Sequence, residues 1–364
     1  MLFDINPKEK VSDLYDRKKE LADLSQAIRN NERLSIIFGV RRVGKTSLIH
    51  AFLSEHEIPY ILVDARQIYT SHSSIPAAVL YQLIGNGFVD FVERMHLDTQ
   101  EGLESKYPRM FSGIELTELL KGINRWCADK KLKYAIVFDE AQYLRFGGSV
   151  KYDMLLAWSI DNLSNIFYVL TGSEVGMLRD FLNYQDADAP LYGRFRNEIY
   201  LGKFNDKSGE GFLSSGFREL NVNVNRGEIE EAVKRLGGVA GWLTYYGHFR
   251  GVKGMGQEEA LKSVFDEGSR IVIKEINGLI SHSRNRYLAV LRLLSEGPST
   301  WTGIKSYVTA KNGIISDTRL NALMQNLVKF GIVEKSKSDT YSIIDPVTVA
   351  AIKRIRPYKG SIVK

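Results

Sequence analysis

GVRRVGKTS (39–47) follows the short apolar run LSIIF (34–38) and leads into SLIHAFLSE (47–55). Gly39, Gly44, Lys45 and Thr46 stand at the spacing of a phosphate-binding loop. LSIIF suits a buried strand, and the apolar residues of 47–55 recur at helical spacing. Strand, glycine loop and helix is the order that such a loop requires. Two glycines let the backbone curl until successive N–H groups face one point. The helix that begins near Lys45 adds unpaired donors and a positive dipole end. In this reading Gly39, Val40, Arg41, Arg42, Val43, Gly44, Lys45, Thr46 and Ser47 enclose the phosphates. Lys45 reaches the β- and γ-phosphates, and the Thr46 hydroxyl ligates magnesium. The Arg41 and Arg42 side chains face either solvent or a neighbouring domain.

A second signal lies about ninety residues on, in YAIVFDEAQYL (134–144). Ala135 to Phe138 form an uncharged strand, and Asp139 and Glu140 follow at its C-terminal end, where open α/β sheets bind ligands. Asp139 is expected at the magnesium, and Glu140 as the base that polarises the attacking water. A third strand, NIFYVLTGSE (165–174), brings Thr171 and Ser173 to the same edge as candidate sensors of the γ-phosphate; a plain strand-ending turn is the competing reading. YILVD (60–64) and EIYL (198–201) complete the strands, with helices over 74–95, 114–129 and 149–161. That alternation predicts a parallel α/β core. Before the last strand, Arg194 and Arg196 are candidates to offset charge on transferred phosphoryl oxygens, Arg196 being the better fit to simple surface solvation.

The chain has 364 residues, enough for two or three domains. Its single cysteine, Cys127, excludes an intrachain disulfide and points to a reducing compartment. No stretch resembles a leader or a membrane span, so a cytoplasmic protein without membrane attachment is expected. Positive charge is concentrated at one end. Residues 283–364 carry fourteen Lys and Arg against five Asp and Glu, a net +9 beside the chain's +6, which leaves −3 for the rest.

Residues 203–280 read as amphipathic helices over 212–220, 228–236 and 259–276, and GHFRGVKGMGQ (247–257) reads as an exposed, adaptable loop. None of the histidines falls into a spaced metal motif. From Arg284 the pattern changes to helices over 284–297, 300–310 and 316–331, the last capped by Ser316 or Asp317, then two short strands within 331–345. Three helices and a hairpin make a winged helix. Its third helix offers Arg319, Asn321, Gln325 and Lys329 to a DNA groove, with Lys335 and Lys337 in the wing. The tail 352–364, including Lys353 and Arg354, has five cations and no acid. Winged helices also dock proteins, and the two roles stay open at this point.

Taken together, DLYDRKKELADL (13–24), GVRRVGKTS, VFDEAQ (137–142), LTGSE (170–174) and the YGR triplet at 192–194 resemble the archaeal ATPase family, within the wider group of AAA-like and signal-transduction (STAND) P-loop ATPases. The resemblance covers nearly the whole chain. It implies an α/β fold: a P-loop ATPase core with a five-stranded parallel sheet, a helical lid and a C-terminal winged-helix domain. The corresponding bounds are 1–202 for the core, 203–282 for the lid or linker, 283–350 for the winged helix and 351–364 for a basic tail. It also implies bound ATP or ADP with Mg2+. Asp16 and Arg17 fall in the segment that helps enclose the base, Thr171 and Ser173 in the sensor strand, and Arg194 on the family's conserved arginine, acting within one chain or across a subunit boundary. The lid departs from the family pattern: GGVAGWL (237–243) has Ala240 where a proline near the base is usual, which makes the turn less rigid. The expected function is a magnesium-dependent ATPase acting as a nucleotide-driven switch, with double-stranded DNA as candidate partner. The alternative is a nucleotide-gated protein-interaction module with little turnover.

Overall fold

A computed structural model of the protein describes residues 1–94, 115–280 and 283–355. The chain divides into two compact units. One comprises Pro7–Val40 and Gly44–Leu201, the other Met1–Asn6, Arg41–Val43 and Gly202–Lys364.

The first unit is built on strands β1 (Leu34–Phe38), β2 (Tyr60–Asp64), β3 (Tyr134–Asp139), β4 (Ile166–Gly172) and β5 (Asn197–Tyr200). They form one parallel sheet in the order β2-β3-β4-β1-β5. β1 and β4 are buried along their whole length, as uncharged runs covered on both faces must be. Register decides what meets at the C-terminal edge: Phe38 pairs with Gly172, and Asp64 with Asp139. The loop after β1 and the polar residues ending β3 and β4 therefore leave the sheet at one level. Helices α1 (Lys18–Arg29), α2 (Lys45–Glu55), α3 (Ala65–His72), α4 (Ala77–Arg94), α5 (Leu116–Lys130), α6 (Tyr152–Asn162) and α7 (Val175–Leu182) complete this unit. An aromatic cluster of Phe88, Phe91, Trp126 and Tyr134 fills part of its core. Cys127 is fully buried beside that cluster, and burial pushes its thiol up to about 12, so it serves as packing rather than as a nucleophile.

The helix expected over 74–95 begins only after Pro76, and α3 precedes it, a helix the periodicity does not announce. Asp64 creates α3 by accepting the Gln67 N–H at 2.9 Å, and the left-handed Ser73 ends it. Residue 114 of the helix expected over 114–129 lies outside the described residues.

The second unit contains α8 (Asp206–Glu219), α9 (Arg226–Leu236), α10 (Ala240–Gly247), α11 (Gln257–Leu279), α12 (Arg284–Glu296), α13 (Trp301–Asn312), α14 (Asp317–Lys329) and α15 (Pro346–Arg354). A small antiparallel sheet joins β6 (Ser299–Thr300), β8 (Thr340–Ile343) and β7 (Val333–Lys335) in that order. The α12-α13-α14-hairpin order is the winged helix, completed by β6, a strand too short for any periodicity. Asp345 caps α15, which runs across residue 350, where the sequence reading starts the tail; residues 356–364 of that tail lie outside the described residues.

The reading of 247–257 as an exposed loop is corrected at its start. His248–Val252 form a wide helical turn with Phe249 buried, and the Arg250 guanidinium pairs with Glu228 at 2.7 Å. The glycines there allow close packing: a Cβ at Gly251 would lie 2.8 Å from Leu220. No helix among the described residues is long and apolar enough to cross a membrane.

Phe3 anchors the N-terminus of the second unit. It is fully buried, edge-on to Phe212 and Phe217 with ring centroids 5.7 and 5.0 Å away. Phe3→Ala is expected to destabilise that unit by about 3–5 kcal/mol, the usual cost of emptying a buried aromatic site, read by urea denaturation. A stability within about 0.5 kcal/mol of the parent, the range of a surface change, would contradict it.

Candidate phosphate and metal site

The site grows from the sheet edge. Gly44, with φ 100°, caps α2 in a backbone shape that an L side chain adopts only under strain. It turns the chain so that Lys45 opens α2 and folds back over the loop. The Lys45 ammonium donates to the Gly39 and Val40 carbonyls at 2.8 and 3.1 Å, and the residue is only 6% exposed. The ammonium is thus already inside the loop that phosphates would enter.

Thr46 follows. Its hydroxyl donates to Asp139 Oδ2 at 2.9 Å, while the Thr171 hydroxyl donates to Asp139 Oδ1. One carboxylate joins the ends of three elements: α2, β3 and β4. The Glu140 N–H donates to Asp139 Oδ1 at 3.1 Å and to the Thr171 hydroxyl at 3.2 Å. Glu140 itself has φ 54°, a left-handed turn that sends its side chain back along the edge. There the Ser173 hydroxyl donates to both carboxylate oxygens at 2.6 and 2.7 Å, the Ser173 N–H reaches Oε2 at 3.2 Å, and the Gln142 amide reaches Oε2 at 2.6 Å. Gln142 and Ser173 are buried, so the restraint is sheltered from water. Asp64, paired in register with Asp139, adds another carboxyl; burial pushes it above the usual range, and Asp139 and Glu140 act in the same direction.

The structure therefore brings Lys45, Thr46, Asp139, Glu140, Thr171 and Ser173 to one edge. Gln142 and Asp64 join them. Gln142 stands in the quoted VFDEAQ run with a buried amide that needs partners, the one signal that marks it. Nothing in the sequence marks Asp64 apart from its place at a strand end.

Other candidate residues stand elsewhere. The Arg194 guanidinium forks onto Asp161 of α6 at 3.0 and 2.5 Å and also donates to the Pro190 carbonyl. Arg196 pairs with Glu198 at 2.8 Å and covers the Tyr184 ring at 3.5 Å. Arg17 is buried, donates to the Asp16 carbonyl at 3.1 Å, and is pulled below the usual guanidinium range by burial, against Glu20 and Asp16. Ala240 opens α10, in the second unit.

On α14 of the winged helix, Arg319, Asn321 and Gln325 are exposed and Lys329 half-buried. Asn321, Gln325 and Lys329 recur every fourth residue and share a face, whereas at about 100° per residue Arg319 points roughly 120° away from Gln325. Lys337 is exposed, Lys335 pairs with Asp339 at 2.7 Å, Lys353 with Glu296 at 3.2 Å and Arg354 with Asp266 at 2.6 Å.

Comparison with known proteins gives these arrangements relatives. The sequence profile described as an ATPase domain predominantly from Archaea matches residues 14–245, and that of the MCM protein C-terminal winged helix-turn-helix domain matches residues 281–344. The Walker-type ATPase PABY2304 of Pyrococcus abyssi is 34% identical, with a TM-score of 0.87 over 97% of this chain and 100% of that one. The Aeropyrum pernix ORC2 protein, in ADPNP–ADP complexes, is similar in fold: TM-score 0.64 at 14% identity, over 97% of this chain and 96% of that one. No curated protein sequence matches the chain.

Thr171 is fully buried and serves both Asp139 and the Glu140 N–H. Thr171→Val keeps the shape and leaves both groups short of a partner, so a loss of about 1–3 kcal/mol in urea denaturation is expected, with Thr171→Ser recovering most of it. Equal stability of the valine variant and the parent would contradict the bridging role.

Proposed function

Because this chain belongs to the family of ATPase domains found predominantly in Archaea, and is a nucleotide-binding ATPase, we propose that it hydrolyses ATP with magnesium, as a nucleotide-driven cytoplasmic switch whose winged helix engages duplex DNA. The observation that carries the hydrolytic part is the Asp139 carboxylate between two threonine hydroxyls with Glu140 beside it.

ATP is held by the loop N–H groups and Lys45, whose ammonium exchanges the Gly39 and Val40 carbonyls for phosphate oxygens. The donor set fits magnesium, which prefers a few protein oxygens with phosphate and water completing an octahedron. Thr46 and Asp139 are the residues to hold it, and the ion, when bound, neutralises charge on the β- and γ-phosphates. Asp139 accepts from Thr171 at one oxygen and from Thr46 at the other, which would keep its carboxylate steady beside the metal. Glu140 takes a proton from the water as that oxygen bonds to the γ-phosphorus and the bond to the β–γ bridging oxygen breaks, giving ADP and phosphate. The water then competes with the Ser173 and Gln142 bonds for the same carboxylate, which makes the chemistry sensitive to the arrangement at this edge. Arg194 would stabilise γ-phosphate charge only after leaving Asp161, a second such dependence. Both dependences support a switch. They equally support the second reading, a nucleotide-gated protein-interaction module that turns over little.

DNA engagement rests on the net +9 of residues 283–364 and on the polar face of Asn321, Gln325 and Lys329. Lys353 and Arg354 are already neutralised by Glu296 and Asp266, so they contribute less to counterion release than their position in a basic tail suggests.

Glu140→Gln retains ATP binding and slows phosphate release by about 10²-fold or more, within the usual share of general-base catalysis. Single-turnover hydrolysis at the parent rate in the purified variant would place the base elsewhere, and parent turnover that is itself barely measurable would favour the second reading. For DNA, fluorescence anisotropy over a salt series should give binding that weakens as salt rises. Gln325→Ala should alter sequence preference more than Arg319→Ala, and replacing Lys337 should weaken all duplexes alike. Salt-independent or absent binding with ATP, with ADP and without nucleotide would remove DNA from the reading.

A further inference from the structure

The phosphate chemistry above makes no use of the two arginines inside the loop. Arg41–Val43 group with the second unit, and the contacts there account for them. Glu275, on α11, places Oε1 2.8 Å from Arg42 Nη2 and Oε2 3.2 Å from Arg41 Nη1. One carboxylate thus serves two guanidiniums that are adjacent in sequence, all three side chains being less than a fifth exposed. The Arg42 guanidinium also lies 4.6 Å over the Trp242 ring, and its carbonyl accepts the Gly241 N–H at 2.8 Å. Backbone approach is close: a Cβ at Gly241 would stand 2.9 Å from the Arg42 Cβ. Trp242 is fixed in turn by its indole N–H, which donates to Asp345 Oδ1 at 3.0 Å.

Arg42 has φ 66°, a left-handed backbone that a non-glycine residue keeps only where its surroundings hold it. The surroundings that hold it are Glu275, Trp242 and Gly241. Asp345 also acts on Arg42, but Glu275 is an acid within ion-pair distance of both guanidiniums, so losing its charge leaves two like charges less well balanced in a sheltered place, and movement of the loop between Gly39 and Gly44 relieves that. Phosphate recognition depends on where the N–H groups of that segment point, and small misplacements are costly.

We propose that Glu275 is a positioning residue for nucleotide binding: by bridging Arg41 and Arg42 it holds the tip of the phosphate loop in its binding shape without touching the nucleotide. The inference rests on the loop being the phosphate seat. It assigns a role to an acid some 230 residues away in sequence, on a helix with no catalytic motif.

The test uses the full chain with ADP and with ATP plus magnesium, by isothermal titration and steady-state turnover. Glu275→Gln, which keeps size and removes charge, should weaken nucleotide binding about ten- to a hundredfold, raising KM with a smaller change in kcat. A Glu275→Gln protein with parent affinity and KM would overturn the proposal. If Glu275→Gln does not fold, Glu275→Asp carries the same comparison, since the shortened carboxylate can no longer span both guanidiniums. Lys45→Ala separates the two levels: parent affinity in that variant would mean that the loop is not the seat at all.

Discussion

The Asp139 carboxylate, shared between the hydroxyls of Thr46 and Thr171, is the contact on which this arrangement turns. It ties the first turn of α2 to the ends of β3 and β4, elements far apart in sequence. A carboxylate at that edge is costly unless its oxygens are satisfied, and the two hydroxyls satisfy one each. The same contact fixes the start of α2, and with it the place where Lys45 folds over the loop. The start of α2, the ends of β3 and β4 and the orientation of Glu140 are consequently coupled through a single acid. This is why Thr171, whose hydroxyl serves both Asp139 and the Glu140 N–H, stands among the most consequential side chains of the site.

Backbone shape is the second constraint. Gly44 at φ 100°, Arg42 at φ 66° and Glu140 at φ 54° are left-handed turns in the loop after β1 and at the acidic end of β3. Glycine adopts this shape freely, whereas arginine and glutamate do so at a cost of order 1–3 kcal/mol. Their neighbours meet that cost: Glu275 and Trp242 for Arg42, Ser173 and Gln142 for Glu140. Strain held by polar partners can be released by exchanging the partners. Under the proposed switch, such an exchange would be the response to what is bound.

Charge tells a different story in the C-terminal region. The net +9 of residues 283–364 is a property of the sequence that already counts Glu296 and Asp339; the structure shows which bases they face, and adds Asp266 from outside the stretch. Lys335, Lys353 and Arg354 each face a carboxylate, two of them from residues far along the chain. Exposed ion pairs of this kind contribute little to stability, yet they lower the charge available to a polyanion. Under the proposed DNA engagement, the exposed polar face of α14 is a better place than Lys353 and Arg354 to look for sequence discrimination.

The core strands, the loop, the acidic strand end and the winged helix are legible from sequence because each depends on neighbours within a few residues. Periodicity reports burial, and glycine and lysine spacing report loop geometry. Where a short-range partner overrides periodicity, legibility fails: Asp64 caps α3, and Pro76 delays α4. It fails too at 248–252, where a glycine-rich run looks solvent-exposed until Phe249 is buried by packing. Tertiary structure alone decides that Thr171 bridges Asp139, that Ser173 holds Glu140, that Arg194 is engaged by Asp161, and that Glu275 spans Arg41 and Arg42. The reason is range. A charged or hydroxyl side chain in sequence states what it can bind, while its partner is set by strand register and helix packing, which join residues thirty to more than two hundred positions apart.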